Sequence, residues 1–464
     1  MMKQEQTAVQ SSGRNANRRR IRAEHIFALG FLAIILFGAL LLMLPAASKA
    51  QTVTPFSDTL FTAVSATCVT GLVVVDTGTH WTLFGQSVIL CMIQIGGLGF
   101  MSFALLLLGT FSRRVSPRIR NITAQSFGLE SGEGIRRFVK RIFIGTAVIE
   151  GCGALLLMIR TIPMLGVGRG IFAGLFLSVS AFCNAGFDPL GGVVTSPFSS
   201  LVQLQDDPLM LIVLSALIIL GAAGFLVWSD LWDFAVSRRR MSVYTRFVLT
   251  ITGCLLLGGT LIVLLLEWNN PQTIGDMPVP MKLLHAYFQA VTPRTAGFDA
   301  IDQTAMRDAT KVITMILMFV GGASGSTAGG AKVSTVGVML VSVWATLHGK
   351  REIRVMKRTV APQVVSRAMC ILFILLTVIF ASALCLVLLD GVPMESALYE
   401  CFSAYCTVGL SLSLTPTLGL AARLLLAAAM YSGRVGILTL SFVLLHRDED
   451  DDAIHYPTAK LLIG

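Results

Sequence analysis

The stretch Thr67-Cys-Val-Thr-Gly-Leu72 returns three times along the chain, as Cys183-Asn-Ala-Gly-Phe187, Arg294-Thr-Ala-Gly-Phe298 and Cys406-Thr-Val-Gly-Leu410. Its glycines, Gly71, Gly186, Gly297 and Gly409, are separated by 115, 111 and 112 residues. Aligned on them, an aromatic stands ten residues earlier each time: Phe61, Phe176, Tyr287 and Tyr399. Six residues earlier stand Ser65, Ser180, Val291 and Ser403, and five earlier Ala66, Ala181, Thr292 and Ala404. Self-similarity at a fixed period marks a repeated architecture.

The sequence around each motif is apolar. Of 464 residues, 54% are hydrophobic and 13% charged, against roughly a quarter charged in a soluble protein. A helix needs about 20 apolar residues to cross a bilayer. Eight stretches approach that length: 26–44, 83–108, 142–158, 209–228, 247–266, 312–347 (interrupted), 370–389 and 424–445. The alternating pattern of a membrane barrel is absent, so the spans are helices. Basic Arg18–Arg20 and the Ser48-Lys49-Ala50 run flank the first stretch as in a signal peptide. Its apolar part exceeds the about 7–15 residues of a signal core, which predicts an uncleaved span.

Ahead of each glycine motif lies a segment of about three helical turns, too short to cross. Pro55, Pro280 and Pro393 open three of these, where the missing N–H of proline costs nothing. The predicted fold is therefore an all-α membrane protein with four pseudo-symmetric repeats of span, half-helix, loop and span around one central pore. The predicted divisions are a basic N-terminal segment (1–25), repeat one (26–111), a linker (112–141), repeat two (142–236), repeat three (237–349), repeat four (350–445) and a tail (446–464).

Charge placement gives the orientation. Of 36 Lys and Arg, 26 fall before the first span, in alternate loops or in the tail. By the positive-inside rule these lie in the cytoplasm, with both termini. The net charge of +10 thus records topology and not a nucleic-acid partner. The nine cysteines match no zinc or redox spacing.

A half-helix ending at mid-membrane points its negative dipole end at the centre, which favours a cation. Glycine reaches backbone angles closed to other residues. Four such loops round one axis form carbonyl rings that replace an ion's hydration shell. The predicted filter comprises Val69, Thr70, Gly71; Asn184, Ala185, Gly186; Thr295, Ala296, Gly297; and Thr407, Val408, Gly409. With one glycine per loop and four different loops, coordination should be less uniform than in a homotetrameric channel. Asp76, Asp188 and Asp299 near the mouth either concentrate cations or are solvated loop carboxylates.

Each repeat also carries a small-residue cluster in its second span: Gly96-Gly-Leu-Gly99, Gly221-Ala-Ala-Gly224, the run from Gly321 to Ala331, and Gly433-Arg-Val-Gly436. Close packing accounts for the first two. The third run, with Gly321, Gly322, Gly325, Ser326, Thr327, Gly329 and Gly330, holds a helix poorly. It is predicted to break the span below the filter as an intramembrane gate loop, residues 321–331. Its approach to Lys332 resembles a phosphate-binding loop, but the lysine spacing is wrong. Arg434 is costly inside a membrane and is predicted to bond gate-loop carbonyls and repel cations. Glu150 is either a coupling-ion ligand or a carboxyl hydrogen-bonded within the bundle.

These residues resemble the Trk/Ktr/HKT superfamily of potassium transporters, most closely the membrane-spanning (KtrB-type) subunits of bacterial Ktr systems. Matches include Cys68–Thr77, Gln94–Gly99, Val291–Phe298, Gly325–Gly330, Thr407–Leu410 and Gly433–Gly436, and they extend over essentially the whole chain from about Arg22. The resemblance implies potassium uptake across a bacterial cell (inner) membrane. It implies a homodimer with one pore per protomer, and a cytoplasmic octameric ring of nucleotide-binding regulatory subunits. It also implies sodium as an activator and potassium at the filter residues, with no cofactor bound by this chain. Two departures stand out: Ala323-Ser324 where relatives often have Ser-Pro, and the dense acidic run Asp448–Asp452. The chain contains no dinucleotide fingerprint of its own, so nucleotide control falls to another polypeptide. The basic inner loops and the tail are either its docking surface or topology signals alone. A sodium or ammonium transporter would share the fold. A membrane enzyme would need a carboxylate pair or histidine cluster in the bundle, and the six histidines are scattered.

Overall fold

The computed structural model describes residues 23–99, 102–103, 134–238, 240–350 and 352–436. Most of the N-terminal segment and linker, the tail with Asp448–Asp452, and the last part of the fourth repeat lie outside the described residues. The described chain is helical. In order it forms α1 (Ala23–Leu42), α2 (Phe56–Cys68), the one-turn α3 (Thr77–His80), α4 (Leu83–Leu98), α5 (Ile135–Leu165), α6 (Val167–Cys183), α7 (Pro208–Ala223) and α8 (Phe225–Ser237). There follow α9 (Val243–Glu267), α10 (Val279–Val291), α11 (Asp308–Phe319), α12 (Val333–Leu347), α13 (Pro362–Asp390), α14 (Met394–Tyr405) and α15 (Leu420–Val435). The two-residue strands β1 (Arg354–Val355) and β2 (Arg358–Thr359) form a hairpin before α13. Helix begins at Ala23 and Ile135, a few residues ahead of the predicted domain edges at 26 and 142.

Among the described residues, three helices, α5, α9 and α13, are long and apolar enough to cross a membrane alone. The pair α7 and α8 reaches that length together but bends by 96°. The bend falls at Gly224, whose φ of +90° is closed to most side chains. Gly99 and Gly436 end α4 and α15 in the same region, at φ +82° and +96°. The first two small-residue clusters therefore do more than the close packing expected of them. In these and in the fourth, the last glycine stops the helix. The first, at Gly96, Gly221 and Gly433, lies where a Cβ would strike the carbonyl of Thr67, Phe182 or Tyr405. Each of those carbonyls stands four residues before a motif glycine.

The short helices before the motifs are α2, α6, α10 and α14. Pro55 and Pro393 cap α2 and α14. In α10 the cap is Pro278, and Pro280 sits inside the first turn. Lacking a proline of its own, α6 follows α5 after a single residue, Gly166. Around these helices Phe61, Phe176, Tyr399, Leu72, Phe187, Phe298 and Leu410 are fully buried in one continuous core. Leu29, Phe37, Leu257, Leu265, Phe373 and Leu388 face outward, as a lipid-exposed surface requires.

Candidate functional site

All four glycine motifs converge. Each motif carries positive φ at two alternate positions: Val69 and Gly71, Asn184 and Gly186, Thr295 and Gly297, Thr407 and Gly409. Alternation of this kind turns successive carbonyls toward one side, whereas an extended strand points them to opposite sides. A Cβ built on Gly71 would lie 2.6 Å from the Ala185 carbonyl oxygen, one on Gly186 2.9 Å from that of Ala296, and one on Gly297 2.5 Å from that of Val408. One on Gly409 would strike the Thr70 carbonyl. The order is 1, 2, 3, 4 and back to 1, so the loops close a ring. Around it, the same Cβ positions fall within 2.9–3.3 Å of the neighbouring glycine Cα atoms. The predicted filter residues Val69, Thr70, Asn184, Ala185, Thr295, Ala296, Thr407 and Val408 are all buried around this ring. Among the described residues, no protein group hydrogen-bonds the hydroxyls of Thr70 and Thr407.

The loops are held from behind by hydroxyls in the preceding helices. The Gly71 N–H donates to Ser65 Oγ (3.1 Å), Phe187 N–H to Ser180 Oγ (3.0 Å) and Gly409 N–H to Ser403 Oγ (3.0 Å). In the third loop Phe298 N–H donates to Thr292 Oγ1 at 3.0 Å. The sequence alignment places Val291 at this offset, and the structure moves the function one residue on. Thr292→Val leaves the Phe298 N–H without a partner in a buried site, which costs about 1–3 kcal/mol. The expected outcome is a lower melting temperature and reduced discrimination of rubidium from sodium, read by thermal unfolding and ion-substitution flux.

On one side of the ring lies a vestibule of about 510 Å³, lined among others by all four motif glycines, Asp188, Asp299 and Asp302. Asp76 also borders it, but its carboxylate is committed. It accepts from the N–H and hydroxyl of Thr79 at the start of α3 and from the Phe198 N–H. Asp76 is thus a structural cap and neither a free cation trap nor a solvated carboxylate. Asp188 is half-buried, and burial together with the nearby Asp76 charge pushes its carboxyl up to about 6.

On the other side the chain leaves helix at Phe319 and re-enters at Val333. Three hydrogen bonds pinch the neck of this loop: Gly321 N–H to the Ala331 carbonyl (3.0 Å), Ala331 N–H to that of Phe319 (3.2 Å) and Val333 N–H to that of Gly322 (3.0 Å). Gly322 lies where a Cβ would meet the Ala222 carbonyl, and Ala323 N–H donates to that oxygen at 2.9 Å. The Gly325 carbonyl accepts from Phe225 N–H, and Ser326 Oγ donates to Ala323 O. Thr327 Oγ1 donates to the Phe182 carbonyl at 3.2 Å. Gly329 packs on the Thr407 side chain and Gly330 on Cys406, so the loop lies directly against the fourth glycine motif. Lys332 Nζ donates to Ala328 O within the loop. Arg434 reaches across from α15. Its guanidinium donates to the Thr327 carbonyl and to those of Gly96 and Gly97.

Glu150 sits in α5 behind the second loop. It accepts from Gln94 Nε2 at 3.0 Å, while the Cys183 thiol lies 3.8 Å away. That bonding favours the carboxyl held within the bundle.

A broken-helix bundle whose loops close a backbone ring is the architecture of a membrane transport protein. The chain belongs to the TrkH family: the model described as "Cation transport protein" matches residues 16–454. It is 37% identical over 452 residues to the potassium/sodium uptake protein NtpJ of Enterococcus hirae, covering 96% of this chain and 98% of that one. It is 39% identical over 449 residues to the Ktr system potassium uptake protein B of Bacillus subtilis, covering 96% and 97%. The crystal structure of the potassium transporter TrkH from Vibrio parahaemolyticus shares its fold, with a TM-score of 0.69 at 18% identity over 93% of this chain and 86% of that one.

Proposed function

We propose that this chain takes up potassium across a bacterial inner membrane through the ring formed by Gly71, Gly186, Gly297 and Gly409, and that the 321–331 loop is its gate. The observation that carries the reading is the closed cyclic order of the four loops. Each glycine abuts the carbonyl of the next loop, at a depth where irregular backbone is tolerated only if it lines a cavity. Potassium itself rests on relatives whose names specify potassium uptake. The decisive experiment restores growth of a potassium-uptake-deficient bacterium on limiting potassium, with flux in liposomes against sodium and ammonium. Transport of ammonium or sodium in preference to potassium would overturn it.

Regulation belongs to a second polypeptide in this reading, since the relatives are named as parts of Ktr systems. The chain assembles as a homodimer on a cytoplasmic ring of nucleotide-binding subunits, with both its termini on that side. Sodium acts as an activator.

The vestibule carboxylates gather cations while ionised. Because Asp188 is raised to about 6, it is charged above that pH and neutral below it. Uptake should therefore decline as external pH falls from 7 to 5, and Asp188→Asn should give a flatter profile starting from a lower rate. Rubidium uptake by proteoliposomes across that range measures both.

A further inference from the structure

The position three residues before each motif glycine is Cys68, Cys183 and Cys406 in three repeats, and Arg294 in the third. All four are buried, and Arg294 is only 3% exposed. Among the described residues no carboxylate pairs with it. Its guanidinium donates one hydrogen bond, from Nη2 to the Gly321 carbonyl at 3.3 Å, and its Nε is unpartnered. A buried cation without a counter-ion is costly, and repeats one, two and four place a small thiol at that position. Gly321 is where the loop leaves α11, and its own N–H forms one of the three bonds that pinch the neck.

We infer that Arg294 is a positioning residue that fastens the neck of the gate loop to the third filter segment, so that gating moves the tip alone. This rests on reading the 321–331 loop as the gate. Two guanidinium groups then divide the loop between them. Arg434 holds the tip at Thr327, and Arg294 holds the neck at Gly321. Because Arg294 directly precedes Thr295, Ala296 and Gly297, its side chain also ties the neck to the filter. Freeing the neck should disturb ion preference, whereas freeing the tip should not.

Hydrogen exchange and flux on the full chain in liposomes separate these roles. In Arg294→Cys, the Gly321 and Ala331 amides should exchange roughly tenfold faster, as loss of a charge-assisted bond implies. The rubidium-over-sodium ratio should fall with them. In Arg434→Ala the Thr327 amide should gain exchange while the neck amides and the ion ratio hold. Arg294→Lys retains a charged donor and should keep neck exchange within about threefold of the parent. It decides the matter if the cysteine variant does not fold. Neck amides unaltered in Arg294→Cys, or an Arg294→Lys neck as loose as an unanchored one, would overturn the inference. Flux unaltered in Arg434→Ala would instead count against the gate reading, and the exchange result at the neck would stand apart from it.

Discussion

Gly297→Ser is expected to reduce potassium uptake at least tenfold and to erase the preference for rubidium over sodium. The backbone at Gly297 has φ +75°, and an L-residue there carries about 1–2 kcal/mol of strain. The space is more restrictive than the angle. A Cβ meets the Val408 carbonyl at 2.5 Å and the Cα atoms of Gly186 and Gly409 at 3.1 and 3.2 Å. All three neighbours are backbone, with no flexible side chain to yield. The substituent must therefore push neighbouring loops apart, and a shift of this kind changes the carbonyl ring on which an ion's coordination depends. Gly258→Ala is the matched control: nothing lies within 4 Å of its Cβ, so uptake and preference should persist. Ion-substitution flux in liposomes reads both variants, and an intact preference in Gly297→Ser would remove the filter assignment.

The second large effect is expected at Arg434. Its guanidinium joins the Thr327 carbonyl of the 321–331 loop to the carbonyls of Gly96 and Gly97 on α4. Hydrogen bonds from a charged group contribute about 1.5–3 kcal/mol each, and a buried charge whose acceptors move away would face the desolvation cost. The arginine thus favours the loop in place. Arg434→Ala removes the latch and a positive charge from the pathway, so flux should rise roughly tenfold or more, with ion preference retained. Shortening the loop tip should act in the same direction. Flux equal to the parent in both variants would show that the loop does not gate.

The repeat was legible because its requirement is severe. A left-handed backbone in a crowded ring admits only glycine at Gly71, Gly186, Gly297 and Gly409, so the residue stays in register through 464 positions. The membrane class was legible in composition, and the family match covers most of the chain. Other features left weaker traces. The backing hydroxyl of the third loop escaped because α10 ends at Val291, and Thr292 serves from a neighbouring offset. Asp76 looked like its neighbours Asp188 and Asp299 because a capping aspartate and a vestibule aspartate are the same residue. Only the partner N–H groups of Thr79 and Phe198 distinguish them. The helix-stopping glycines Gly99, Gly224 and Gly436 were visible as part of small-residue clusters. Whether a glycine packs or bends depends on the neighbouring chain, which spacing alone does not reveal.

The cyclic order of the loops also bears on how the molecule is made. The ring closes between the first and last quarters of the chain, where Gly409 meets Thr70 and where Arg423 Nη1 pairs with Asp58 at 3.0 Å across 365 residues of sequence. Domains emerge from the ribosome N-terminal part first, and distant contacts form late. Until the fourth quarter is inserted, the first quarter must wait with one flank of its irregular backbone uncovered, in an environment that cannot hydrogen-bond to it. A chain halted before Gly409 would lack the loop that closes the ring, leaving the Thr70 side of the first loop uncovered inside the membrane.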